Sequence, residues 1–243
     1  MTQPDPRTLR AEPDTPVRVA RLGTLAYRGA WQLQQELVEQ RRDGRCPDTL
    51  LLLEHPRVYT LGRRADRGNV RFDAATLAER GIEVVEVDRG GDVTYHGPGQ
   101  LVGYPILRLA GTLVVDYVRA LEEVLIRALA TLQVAAQRSP GYTGVWVGDQ
   151  KIAAIGVRVS AGGLTSHGFA LNVRTDLDDF AGIVPCGITD RGVCSLASLG
   201  VDVEVARAEQ AVEQAFAEVF GATLEEAGPD LVAPAPTASK ATP

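Results

Sequence analysis

From Val17 to Leu22 apolar and polar residues alternate, which is the period of a strand with one buried face. From Tyr27 to Arg42 the apolar positions Leu33, Leu37 and Val38 follow helical spacing until Gly44 stops them. Thr49 to Leu53 is a continuous apolar run closed by Glu54-His55-Pro56, a strand buried on both faces that reaches the rim of a sheet. Val58 to Leu61 is a short extended piece. Asp73 caps a helix through Arg80, Gly81 ends it, and Ile82 to Asp88 is again a strand, as is Leu101 to Leu109. Val114, Val118, Leu121, Leu125, Leu129 and Leu132 form the stripe of the longest helix. Gly144 to Val159 reads as a hairpin turning at Gly148-Asp149, and Thr165 to Val173 as a further strand. Regular alternation along the hairpin sets Lys151 on one face with Ala153, Ile155, Val157 and Val159. Asp176 to Phe180 is a helical turn, and Asp202 caps a last helix that runs to Phe220 before Gly221. Residues 1–16 and the Pro/Ala-rich 228–243 are expected to be disordered tails around a single domain, 17–227.

The 243 residues carry no apolar run near the ~20 residues that span a bilayer, and Met1 to Pro16 has no apolar core of a secretory signal. No membrane association is expected. Three cysteines at unhelpful spacings argue against a disulfide framework and for a reducing, cytoplasmic setting. A net charge of −6 disfavours nucleic acid as a partner. One local concentration of positive charge stands out, Arg63, Arg64, Arg67 and Arg71 in a single loop, a candidate docking surface for an acidic macromolecule.

Candidate chemistry collects in the turns. Pro185-Cys186-Gly187 puts a cysteine on a tight, poorly shielded loop, whereas Cys46 reads as an incidental surface thiol and Cys194 as a small packed residue. Arg89 to Gln100 holds four glycines around His96, without the pattern of a Walker loop or a Rossmann fingerprint, and suits close backbone approach to a ligand. A lysine heading an apolar strand face, Lys151, either snorkels to water or is partly desolvated. Loop cysteine, loop histidines, lysine and glycine loop together suggest nucleophilic acyl chemistry. No closely spaced Cys or His ligand pair is present, so no metal site is expected.

In order along the chain stand Leu53-Glu54-His55-Pro56 with Tyr59-Thr60-Leu61-Gly62-Arg63, Arg89-Gly90-Gly91 through Tyr95-His96-Gly97-Pro98-Gly99-Gln100, Lys151 through Gly156, His167-Gly168-Phe169-Ala170-Leu171-Asn172, and Pro185-Cys186-Gly187-Ile188. With these motifs the chain resembles the lipoyl(octanoyl) transferases of lipoate biosynthesis. The resemblance implies the α/β (α+β) fold of biotin and lipoate protein ligases, with mixed, largely antiparallel sheets flanked by helices. It also implies a reaction without ATP or metal. Octanoyl passes from acyl carrier protein to Cys186 as a thioester, then to a lysine of a lipoyl domain, in 2-oxoacid dehydrogenase E2 subunits or the glycine cleavage H protein. By the same resemblance Lys151 partners Cys186, and Arg89, Gly90, Gly91, Asp92, Val93, Thr94, Tyr95, His96, Ala154, Ile155, Gly156, Gly168, Phe169 and Ala170 line the acyl pocket. An unassisted cysteine is only about 3% thiolate near neutral pH, so a nearby ammonium has a clear task.

Two departures qualify the match. Position 194 is cysteine where the family usually carries a hydroxyl residue, and Asp92 brings a carboxylate to the glycine loop. Two alternatives differ in what they require. An ATP-dependent ligase on the same fold needs no Cys186, and a non-catalytic binding module tolerates loss of both Cys186 and Lys151.

Overall fold

The computed structural model describes residues 5–111, 114–184, 191–228 and 231. Its strands are β1 (Val17–Thr24), β2 (Thr49–Glu54), β3 (Val58–Leu61), β4 (Glu83–Glu86), β5 (Val93–His96), β6 (Gln100–Ile106), β7 (Gln137–Ser139), β8 (Tyr142–Val147), β9 (Gln150–Val159), β10 (Thr165–Asn172), β11 (Gly192–Val193) and β12 (Leu224–Glu226). Four helices accompany them, α1 (Tyr27–Arg42), α2 (Ala74–Arg80), α3 (Val114–Thr131) and α4 (Val205–Phe220). The large sheet runs β12-β1-β2-β6-β10-β9-β8-β7, with β11 beside β9, and a small sheet runs β4-β3-β5. Most pairings are antiparallel; β1 runs parallel to β2, which needs the crossover that α1 supplies. The expected mixed sheets flanked by helices are present. None of the described helices is long and apolar enough to cross a membrane.

The run Leu50 to Leu53 shows why the second strand has no polar face. Leu50 and Leu52 pack with Leu121, Leu125, Val212 and Phe216 beneath α3 and α4, while Leu51 and Leu53 pack with Ala30, Leu33 and Leu37 of α1. Each leucine buried in this way contributes roughly 2 kcal/mol. Asp73 caps α2 by accepting from the Thr76 amide at 2.8 Å, and Gly81 ends it at φ 64°, as read from the sequence.

Five local expectations are corrected. Of the expected tail 1–16, the described part from Asp5 onward is not free but lies on the domain, with Leu9 and Arg10 buried. Arg10 is held there by Asp48, a buried carboxylate that accepts from Arg10 Nε (2.8 Å), Arg41 Nε (2.8 Å) and the Arg108 amide (3.0 Å). An unpaired charge could not be buried at this depth, so the ion pair with Asp48 and the burial of Leu9 in the core together order the polar segment. Cys46 is not a surface thiol; it is buried against α1, its Sγ 3.7 Å from the Leu37 carbonyl, and burial raises its pKa. Asp202 does not cap α4, which begins after Glu204; instead both carboxylates accept from Arg174. In the C-terminal stretch 228–243, Leu231 is buried against the α1 side of the sheet, and the residues beyond it lie outside those described.

The fifth correction concerns Lys151. Val145 pairs with Ala153 but Trp146 pairs with Lys151, so Ile152 is an extra residue on β9. This bulge breaks the alternation. Ile152 and Ala153 both enter the core beneath α3, and Lys151 leaves their face to join Ala154 and Gly156 at a cavity.

Candidate active site

That cavity, about 450 Å³, opens between the start of α1, the glycine loop, β9, β10 and the start of α3. Small residues create the space. Gly156 would bring a Cβ to 3.1 Å from Arg89 Cδ, and a Cβ at Gly168 would overlap the Gly103 carbonyl of the neighbouring strand. Gly91, at φ 92°, turns the glycine loop so that Gly90 can donate its amide to the Val157 carbonyl at 2.9 Å.

Lys151 is 9% exposed and lines this cavity, with Nζ over the Trp146 ring, 4.9 Å from its centroid. Parallel β11 lies on its other side, Val193 opposite Lys151, and the Cys194 amide donates to the Lys151 carbonyl at 3.0 Å. Cys194 is buried, as expected for a packed residue, and its thiol is pushed up to about 11 by burial, the opposite of what a nucleophile needs. Cys186 lies outside the described residues. The segments on either side of it are described, and Phe180 and Val193 both line the cavity.

Arg89, Gly90, Gly91, Val93, Thr94, His96, Ala154, Ile155, Gly156, Gly168, Phe169 and Ala170 also line it. Arg89 is buried, donating to the Thr60 carbonyl (2.6 Å), Thr60 Oγ1 (2.9 Å) and the Gly90 carbonyl (3.0 Å). Two residues of the same loop sit elsewhere. Tyr95 points to the far side of the small sheet, where its hydroxyl donates to Asp179 at 2.9 Å. Asp92 accepts from Asn69 Nδ2 (2.6 Å) and the Val93 amide (2.7 Å), tying the arginine loop to the glycine loop.

The three histidines, read from sequence as loop residues, are all buried. His55 donates Nδ1–H to the Leu25 carbonyl (2.7 Å) and accepts from the Tyr104 hydroxyl at Nε2 (2.7 Å); burial holds it neutral, with a pKa lowered to about 4. His96 donates to Gln100 Oε1 (2.7 Å), and burial, with His55 nearby, drives its pKa well below the usual value. From Gln100 the network continues to Asn172 (2.9 Å) and then to the Cys194 carbonyl (2.9 Å), which links the cavity floor to the strand beside Lys151. His167, in the left-handed region at φ 57°, donates to Asp88 at 2.7 Å.

Sequence reasoning overlooked Tyr27 and Tyr104, which wall the cavity. Both sat in segments read as scaffold; a hydroxylated aromatic in an otherwise apolar strand was the available signal for Tyr104. It also overlooked Asp179, a buried carboxylate that accepts from Arg57, Arg80 and Tyr95, and whose backbone carbonyl accepts from Tyr59. Asp179 anchors the 3₁₀ turn Asp178–Gly182, which leads to Val184, and the Val184 amide donates to the Asn69 carbonyl at 2.8 Å.

A mixed sheet flanked by helices, with the glycine loop and Lys151 lining one cavity, is the arrangement of a lipoate-ligase-type domain. A bipartite lipoate protein ligase from Thermoplasma acidophilum superposes with a TM-score of 0.71, at 18% identity over 89% of each chain. A lipoate-protein ligase A bound with ATP does so with 0.72, at 17% identity over 90% of this chain and 91% of the other. The model of the lipoyl protein ligase A/B catalytic domain matches residues 26–217. Octanoyltransferases from Rubrobacter xylanophilus (54% identity, 82% of this chain, 91% of the relative) and Chloroflexus aurantiacus (52%, 82% and 92%) are far nearer in sequence. The chain belongs to the lipoyl protein ligase A/B catalytic-domain family and, within it, to the octanoyltransferases.

Proposed function

We propose that this acyltransferase takes an octanoyl group from acyl carrier protein onto Cys186 and passes it to a lysine of a lipoyl domain, with Lys151 serving both half-reactions. The observation that carries this reading is Lys151 itself: an amine brought by a bulge to an apolar cavity in a chain whose relatives are octanoyltransferases.

In the first half-reaction the Cys186 thiolate attacks the carrier thioester, and the carrier thiol leaves with the proton that Cys186 gave up. In the second, the acceptor amine attacks the enzyme thioester, an amide bond forms as the carbon–sulfur bond breaks, and the amine proton passes through Lys151 to the departing Cys186 sulfur, which restores the thiol. The acceptor lysine, with its usual pKa near 10.4, is neutral in about one molecule in 2,500 near neutral pH, so a base beside the thioester matters most here. Burying the acyl chain contributes roughly 0.8 kcal/mol per methylene, on the order of 5 kcal/mol for octanoyl, which favours it over acetyl. The donor is already a thioester, so the reaction calls for neither ATP nor metal. E2 subunits and H protein are the acceptors we infer, in the cytoplasm.

The test is intact mass spectrometry after incubation with octanoyl-acyl carrier protein in the absence of ATP, alongside Cys186→Ser, followed by addition of a lipoyl domain. A hydroxylamine-labile octanoyl adduct, absent from the variant and transferred to the lipoyl domain, is expected. Lipoyl-domain modification that appears only with ATP and free octanoate would replace this reading with a ligase.

A further inference from the structure

Two described residues that neither the motifs nor the chemistry above assign converge on Lys151. Trp146, opposite Lys151 across the β8–β9 pair, is 1% exposed and presents its ring to the ammonium. The Arg191 guanidinium lies over the same ring, 5.2 Å from its centroid, and over Tyr142 at 4.7 Å, while Nη1 donates to Ser139 Oγ at 2.7 Å. Arg191 immediately precedes β11, whose Val193 pairs with Lys151. One indole therefore meets the cation of β9 and the cation at the start of the strand beside it.

We propose that Trp146 and Arg191 are positioning residues for Lys151, the indole fixing its ammonium and the stacked arginine fixing the indole together with the start of β11. The proposal rests on the reading of Lys151 as the group that serves the thioester. A lysine carries substantial rotamer freedom, and contact with an aromatic face restricts where its ammonium sits. The bulge at Ile152 is what turns Lys151 toward this ring. Trp146 also pairs its own strand with β9, so ring and amine are held by the same ladder.

The experiment measures single-turnover octanoyl transfer from carrier to enzyme and from enzyme to lipoyl domain in Trp146→Phe, Trp146→Leu, Arg191→Lys, Arg191→Gln and Lys151→Ala, with a thermal melt of each. Trp146→Phe keeps an aromatic face and should stay within about threefold of the parent, whereas Trp146→Leu should lose about tenfold. Arg191→Gln, at a partly exposed position where folding is not at risk, should lose about tenfold with an unchanged melt, and Arg191→Lys should recover part of that loss. In residual transfer by Lys151→Ala, adding Arg191→Gln should cost nothing further. Equal rates for Trp146→Phe and Trp146→Leu, a parental rate for Arg191→Gln, or an additive loss in Lys151→Ala would overturn the clamp. A parental rate for Lys151→Ala itself would overturn the reading beneath it, a result distinct from any of these.

Discussion

Lys151 and Trp146 stand opposite one another at a bulge where one β8 residue faces two of β9, and the ammonium lies 4.9 Å from the ring centroid. The bulge decides which side of the sheet receives the amine. Its consequence is that the lysine shares a cavity with Ala154, Gly156 and Ala170 instead of a core with Ile152.

Replacing Lys151 by alanine should therefore remove at least about 100-fold of the transfer to a lipoyl domain, the usual worth of a placed acid–base group. Thermal stability should change little, since an amine is being removed from a cavity rather than from a packed core. Single-turnover kinetics beside a melting curve checks both. A loss of activity that tracks a fall in melting temperature would point to a structural role instead.

The glycines of the cavity wall separate space from stability. Gly156→Val narrows the acyl cavity and should shift preference from octanoyl toward shorter chains, read as relative rates with butanoyl, hexanoyl and octanoyl carriers. Gly168→Ala, whose Cβ would run into the Gly103 backbone, should instead cost about 1–3 kcal/mol in urea unfolding. If Gly156→Val keeps the parental chain profile, the acyl group does not run past β9.

Stability should fall with acid in a window set by the buried histidines. His55 titrates at about 4 when folded and at its ordinary value near 6.5 when unfolded, so between the two the unfolded chain binds the extra proton. Stability is full above about pH 6.5 and declines toward pH 4 at up to about 1.4 kcal/mol per unit for His55, with His96 adding in the same direction. Urea unfolding at several pH values gives the slope. Stability that stays flat across this window would mean that these rings take up protons in the native state.

The Asp48 cluster makes a prediction about the N-terminus. Asp48→Ala leaves the buried Arg10 guanidinium without its carboxylate and removes one of the two carboxylates on Arg41, and should cost roughly 3–5 kcal/mol, with early proteolysis between residues 5 and 16. Limited proteolysis with chemical denaturation tests this. Parental cleavage kinetics would show that Leu9, the Ala11 and Ala110 backbone hydrogen bonds and the Glu12–Arg41 pair hold the segment without Asp48.

The exposed arginine loop is not uniform. Arg64 reaches the cavity mouth, while Arg67 is already paired with Glu86, Nε at 3.0 Å. Arg64→Glu should raise the KM for the acyl carrier several-fold at low salt and less at high salt, and Arg67→Glu should do less. Equal KM values across variants and salt concentrations would dissociate this loop from carrier docking.

Sequence determined the parts of this protein that local chemistry governs. The apolar run of β2 required burial on both faces, Asp73 and Gly81 bounded α2, Gly148-Asp149 turned the hairpin, and of the stretches expected to line the cavity, Arg89 to His96 does so except at Asp92 and Tyr95 and Gly168 to Ala170 does so throughout. Each of these signals is carried by neighbours in the chain. Tertiary structure alone decided the rest, because the deciding partner was remote. Asp48 ordered Arg10 from 38 residues away, Arg174 rather than an amide took the carboxylate of Asp202, and the Leu37 carbonyl received Cys46. Tyr95 turned from the cavity because Asp179, 84 residues on, accepts its hydroxyl. The side of the sheet that Lys151 faces was hidden for the same reason: one extra residue against β8 reverses a two-residue period, and only pairing with another strand reveals which residue is extra.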